Sequence, residues 1–146
     1  MDLTWHDRRF DELDVAALYA ILELRALVFV VEQACAYNDI DGHDRIARHL
    51  YAEANGIAAY LRILPAGTKY DETSIGRVVV APAYRGTGLG KELMQRGIAA
   101  AGAGPIRIGA QAHLERFYGE LGFQRVSEPY VEDGIPHVEM IRPAGS

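Results

Sequence analysis

A chain of 146 residues, 49% of them hydrophobic, predicts one domain spanning residues 1–146 with a sizeable buried core. A formal charge of -5 argues against nucleic acid as a partner, because phosphate backbones select a basic face. The single cysteine, Cys35, rules out an intrachain disulfide and fits a reducing, cytoplasmic setting, while no apolar run is long enough for a signal peptide or a bilayer span.

In chain order, a short strand is expected around Leu3 to Trp5. From Asp11 the spacing turns helical, with Val15, Leu18, Tyr19, Leu22, Ala26, Phe29 and Val30 recurring as one apolar stripe, and Asp11 or Asp14 as its cap. The polar segment YNDIDGHD reads as a loop. Two strand-like runs, RHLYAEA and IAAYLRIL, then flank Asn55-Gly56, which predicts a hairpin. The run SIGRVVVAP is nearly continuous in β-branched residues, as expected of a strand buried on both faces. Beyond Leu89 the pattern is an amphipathic helix, with Leu89, Leu93, Met94, Gly97 and Ile98 on one side. PIRIGAQ is a further strand, and HLERFYGELGF a helix that aligns Leu114, Phe117, Tyr118 and Leu121 and is capped by Gly122. Two last strands flank Asp133-Gly134, another hairpin signal. The sum is an α+β class, with one central, mixed and mostly antiparallel sheet flanked by helices.

The stretch YRGTGLGKEL stands between the apolar strand and the amphipathic helix. Glycine weakens a helix start, so its repetition there points either to tight packing or to something that approaches the backbone closely. Free amides at a helix start, aided by the helix dipole, attract phosphate. A Walker loop would need glycine where Arg85 stands and Ser or Thr where Glu92 stands, and a dinucleotide fingerprint would need glycine at Lys91. The pattern that fits is Arg-x-x-Gly-x-Gly, read as Arg85, Gly88 and Gly90 directly after RVVVAP.

This pattern resembles the pyrophosphate loop of the GNAT superfamily of N-acetyltransferases. HLERFYGELGF resembles that family's later helix, and the order of elements agrees over nearly the whole chain. FVVEQACAYNDIDGHD and EDGIPHVEM further resemble the ElaA-like branch. The resemblance implies a three-layer GNAT fold, acetyl-CoA as cosubstrate, and an acetyl transfer to an amine by direct attack. It implies that Arg85, Gly86, Thr87, Gly88, Leu89, Gly90 and Lys91 hold the pyrophosphate. It also implies that Val78, Val79 and Val80 pair with the pantetheine arm and supply an oxyanion donor, and that Tyr118 protonates the leaving thiolate.

An amine must be neutral to attack, so a base is expected. Glu32, Asp39, Asp41, Asp44, His49, His113 and His137 are the candidates, and His113 is singled out because it opens the helix that carries Tyr118. Asp39, Asp41 and Asp44 suggest an acidic rim for a cationic small-molecule or protein amine, against the simpler reading of a solvated acidic loop. Gly42 cannot be the fixed glycine of a calcium loop, since Tyr37 and Arg48 would then be ligands, and the histidines lack zinc spacing; no metal is expected. Cys35 is expected to be an inert buried thiol rather than a nucleophile. Strand edges near the chain's end offer a surface for a homodimer. The rival readings are an acyl-CoA-binding sensor without turnover and an unrelated binder of ATP or a nicotinamide.

Overall fold

The computed structural model describes residues 2–144. Left-handed backbone at Gly56 (φ 91°) folds β2 (Arg48–Ala54) back on β3 (Gly56–Leu64), as the Asn-Gly turn requires. Paired outside β2 is β1, Thr4–Arg9, which is longer than its apolar start suggested because the polar residues of WHDRR face solvent at a sheet edge. On the far side β3 pairs with β4 (Thr73–Val80), which neighbours β5 (Ile106–Gln111). Then come β8 (Ile135–Arg142) and β6 (Gln124–Arg125), while β7 (Tyr130–Glu132) pairs with the other end of β8 through the Asp133-Gly134 turn. Every pairing is antiparallel except β4–β5, so the sheet is mixed and mostly antiparallel as expected.

Helices cover both faces. On one, α2 (Leu89–Ala101) lays Leu89, Leu93 and Met94 against Leu61, Ile63, Ile75 and Ile106, and the short α3 (Glu115–Gly119) adds Tyr118 beside Ile108 and Met140. Contact is close at Gly97, where a Cβ would lie 2.7 Å from Leu61. On the other face α1 (Val15–Arg25), capped by Asp14 through Ala17 N–H, continues into a π-helical segment, Ala26–Glu32. Ile21, Leu24, Val28 and Phe29 pack there on Tyr51, Tyr60 and Val79.

Three expectations need correction. The stripe led by Val15 and Tyr19 is not the buried one: these residues are 86% and 69% exposed, and Ile21, Leu24, Arg25 and Val28 face the sheet instead, joined by Phe29, the one member of the expected stripe that is buried. VAALYAILELR is apolar on nearly every side, so periodicity selects no unique face, and the wider π-helical turn shifts the stripe again after Ala26. The helix of HLERFYGELGF is shorter than expected, a 3-10 turn at Ala112–Leu114 followed by α3. Gly122 (φ 95°) does end it, since the Phe123 N–H donates back to Tyr118 O.

The third correction concerns β4, which is not buried on both faces. Arg77 adopts φ 52° and the register with β3 slips between Tyr60 and Arg62, which marks a bulge. The bulge resets the alternation, so Val78 and Val80 point to the α2 side while Val79 joins the α1 side. Val78 and Val80 remain only half-buried. Among the described residues no helix is long and apolar enough to cross a membrane.

Candidate active site

The parallel strands β4 and β5 touch only at Thr73–Ile106 and Ser74–Arg107. Beyond that point they splay apart, and a cleft of about 460 Å³ opens between them. Its walls come from both sides of the sheet: Val78, Val80 and Tyr118 on the α2 side, Phe29, Cys35 and His137 toward α1. The edge of β4 that faces β5 is unpaired from Gly76 to Val80, so its backbone groups there can accept an added strand.

That edge runs into the glycine loop. After Pro82–Tyr84 turns the chain, the Thr87 hydroxyl donates to Tyr84 O at 2.6 Å, and Gly86 (φ 76°) and Gly88 (φ 83°) take left-handed conformations. A Cβ at either glycine would meet nothing within 4 Å, so tight strand–helix packing does not explain them. Backbone conformation does, and its effect is on the amides: from Gly86 to Lys91 no backbone N–H finds an acceptor among the described residues, and Glu92 is the first to donate, to Gly88 O. These free donors lie at the positive end of the 13-residue α2, an anion cradle by construction. Gly90 has ordinary φ and a Cβ there would sit 3.6 Å from Val80, so nothing inside the protein demands glycine. Arg85 spans the mouth, donating to Glu32 Oε1 at 2.6 Å, and Lys91 is exposed with no ion pair among the described residues.

Residues 16–142 match the model of the acetyltransferase (GNAT) domain. The chain belongs to the GNAT family. ElaA of Escherichia coli is 44% identical over 96% of this chain and 96% of its own. A solved acyl-CoA N-acyltransferase from Pseudomonas aeruginosa superposes with a TM-score of 0.92 at 43% identity, covering 97% of this chain and 99% of its own. The crystal structure of E. coli ElaA gives 0.91 at 43% identity with the same coverage. The α+β sheet, with its splay between β4 and β5, is therefore the GNAT fold, and the chain is an ElaA-like GNAT acyltransferase.

Within this GNAT cleft, Tyr118 is 7% exposed and its hydroxyl has no hydrogen-bond partner among the described residues. Burial pushes its phenol up to about 12, so it is protonated at neutral pH. His113 stands at the rim, exposed, with no hydrogen bond to its ring among the described residues. His137 lies deeper, 8% exposed, with Nδ1 2.7 Å from Ile135 O. Cys35, 7% exposed, donates its Sγ–H to Asp133 O at 3.0 Å. Among the described residues no His, Cys, Asp or Glu side chains gather in threes as metal ligands.

The acidic rim is not a rim. Asp39 and Asp44 are buried, and together with Asp41 they face Arg25, Arg62 and Arg77. Arg25 donates to Asp39 at 2.8 Å and Asp44 at 2.7 Å, while Arg62 reaches Asp41 at 2.6 Å. Burial alone would raise the carboxyls of Asp41 and Asp44, but hydrogen bonds from Arg62 and Arg25 hold both well below the usual carboxylate range. These aspartates are committed to internal partners and cannot recruit a cationic acceptor. His49 is removed as well: it is fully buried, its nitrogens meet Tyr60 Oη at 2.6 Å and Asp44 O at 2.9 Å, and burial lowers its pKa.

Sequence reasoning missed Gln33, Tyr37, Tyr70, Gln111 and Glu132 as lining or neighbouring groups. Tyr70 and Tyr130 converge over Gly109, where a Cβ would stand 3.1 and 3.2 Å from their hydroxyls. A glycine in the middle of the strand PIRIGAQ was the one local signal of that approach.

Proposed function

We propose that the protein transfers an acetyl group from acetyl-CoA to an amine by direct attack in a ternary complex. The observation that carries this reading is the continuity of the free amides of Gly86–Lys91 with the unpaired edge of β4, which leads to the Tyr118 hydroxyl. The pyrophosphate rests on the loop amides, and Arg85 and Lys91 supply charge beside it. Pantetheine pairs with Val78–Val80 as an added strand. The backbone N–H of Val80, which points away from β3, then faces the thioester oxygen as it gains charge. The amine nitrogen attacks the carbonyl carbon, the C–S bond breaks, and Tyr118 protonates the departing sulfur.

Direct attack is favoured because the one thiol in the cleft, Cys35, is tied to the Asp133 carbonyl. The acceptor is a small-molecule or protein amine, entering from the α1 side. The test is free-thiol release from acetyl-CoA with spermidine, glucosamine and lysine methyl ester, with the acetylated amine identified by mass. Thiol release that depends on the amine, with intersecting rather than parallel initial-velocity lines, is the expected result. A protein that binds acetyl-CoA and releases no thiol with any amine is a sensor, and the transferase reading then fails.

A further inference from the structure

We propose that His137 is the general base that takes the acceptor's proton. This rests on the transferase reading above and adds the residue that makes the amine nucleophilic. His137 belongs to β8 and lies across from Gln111 at the end of β5, where β5 has already left β4. Its neighbour Val138, like Met140, packs into the core that contains Tyr118. Side chains alternate along a strand, so His137 projects to the opposite face. Base and acid thus address one cleft from the two sides of the sheet, with the thioester between them.

The ring is held in one tautomer. Nδ1 is 2.7 Å from the carbonyl oxygen of Ile135, which can only accept, so Nδ1 carries the hydrogen. In the neutral ring Nε2 is then a bare lone pair. Nε2 lies 3.8 Å from Glu132 Oε2, too far for a hydrogen bond, so its lone pair stays open with a carboxylate standing beside it. Tyr130 stacks on the ring at 5.8 Å and fixes its plane. This is the arrangement of a positioned base, with one nitrogen anchored, one open, and a carboxylate beside it.

The other candidates are accounted for. Asp39, Asp41 and Asp44 are ion-paired, and His49 has both nitrogens occupied. Glu32 is paired with Arg85, and the His113 ring has no anchor among the described residues. In the transfer, an incoming ammonium gives one proton to Nε2 and becomes a neutral amine. Its nitrogen attacks, the C–S bond breaks, and sulfur takes the Tyr118 proton. The second proton lost by nitrogen restores the phenol, and His137 releases its own to solvent.

Besides Glu132 and Tyr130, the ionisable groups at this end are Asp133 in the turn, Cys35 and Tyr37 after α1, and Lys69 and Tyr70 between β3 and β4. The experiment compares wild type with His137→Asn, whose amide N–H still serves the Ile135 carbonyl. Acetyl-CoA binding by calorimetry reports the fold, and thiol release with spermidine, glucosamine and lysine methyl ester reports kcat/KM against pH. In wild type kcat/KM rises with pH along an acid limb as the base loses its proton. In H137N it falls about 100-fold and loses that limb, with acetyl-CoA binding unchanged. Undiminished turnover by H137N overturns the proposal alone, whereas wild type that binds acetyl-CoA yet acetylates none of the amines overturns the transferase reading with it. Should H137N not fold, His137→Gln decides by the same two readouts: the limb is lost with acetyl-CoA binding kept if His137 is the base, and the limb persists if it is not.

Discussion

Beneath the loop that follows α1, three arginines face three aspartates and each charge has its opposite within reach; in the cleft between β4 and β5, the Tyr118 hydroxyl has no hydrogen-bond partner among the described residues and His137 holds one nitrogen open. Both regions are largely buried, and both are built from groups that are costly to bury. The first pairs each charged group with an opposite one, even though Asp44 Oδ2, Arg62 Nε and Arg77 Nε make no hydrogen bond of their own among the described residues. The second leaves whole groups without a counterpart, which is why the proposed chemistry is placed there. Burial of polar groups therefore does not by itself separate the two regions, while the absence of an opposite charge or hydrogen-bond partner for a whole group does.

The largest expected effect is on the closed region. Arg25→Leu strands Asp39 and Asp44 as buried carboxylates without their shared guanidinium, which costs about 3–5 kcal/mol in a denaturant titration. A loss under about 1 kcal/mol, typical of a surface pair, would break the comparison from that side. On the open side, Tyr118→Phe leaves stability and acetyl-CoA affinity in place, because the hydroxyl makes no hydrogen bond among the described residues. It lowers turnover about 100-fold, and undiminished turnover removes Tyr118 from the chemistry.

Gly88→Ala imposes a left-handed alanine at φ 83° and disturbs the row of amides it turns outward. A penalty of about 1–2 kcal/mol predicts roughly tenfold weaker acetyl-CoA binding by calorimetry.

The closed region also sets a pH signature. Asp41 and Asp44 are depressed, so they bind fewer protons folded than unfolded, and their contribution is full above the ordinary carboxylate pKa of about 4 and lost as pH falls further. His49 is depressed too, so its unfolded form gains a proton first and stability begins to fall below about pH 6.5. Unfolding midpoints against pH should show both declines, and His49→Gln should lack the earlier one. The smallest effect is Gly97→Ala, which presses a methyl toward Leu61 and costs about 1 kcal/mol.

What was legible in the sequence was local. Asn55-Gly56 and Asp133-Gly134 name their turns through the backbone they require, and the alternating glycines of RGTGLGK announce free amides. What was hidden depends on residues distant in the chain meeting in space. Asp39, Asp41 and Asp44 read as acidic because their partners Arg62 and Arg77 lie on other strands. The bulge at Arg77 has no sequence mark, since arginine rarely adopts a positive φ, yet it turns Val78 and Val80 toward the cleft. His137 was one histidine among five until β7 and the Ile135 carbonyl fixed its ring.

The most direct test of the account is calorimetric titration of the protein with acetyl-CoA, with ATP and NAD as controls. The account predicts saturable binding selective for CoA and weakened in G88A, because the loop amides and the β4 edge together take the pyrophosphate and the pantetheine. Absent binding, or equal binding of ATP, would mean that the amides from Gly86 to Lys91 do not await this ligand, and the proposed chemistry would fall with them.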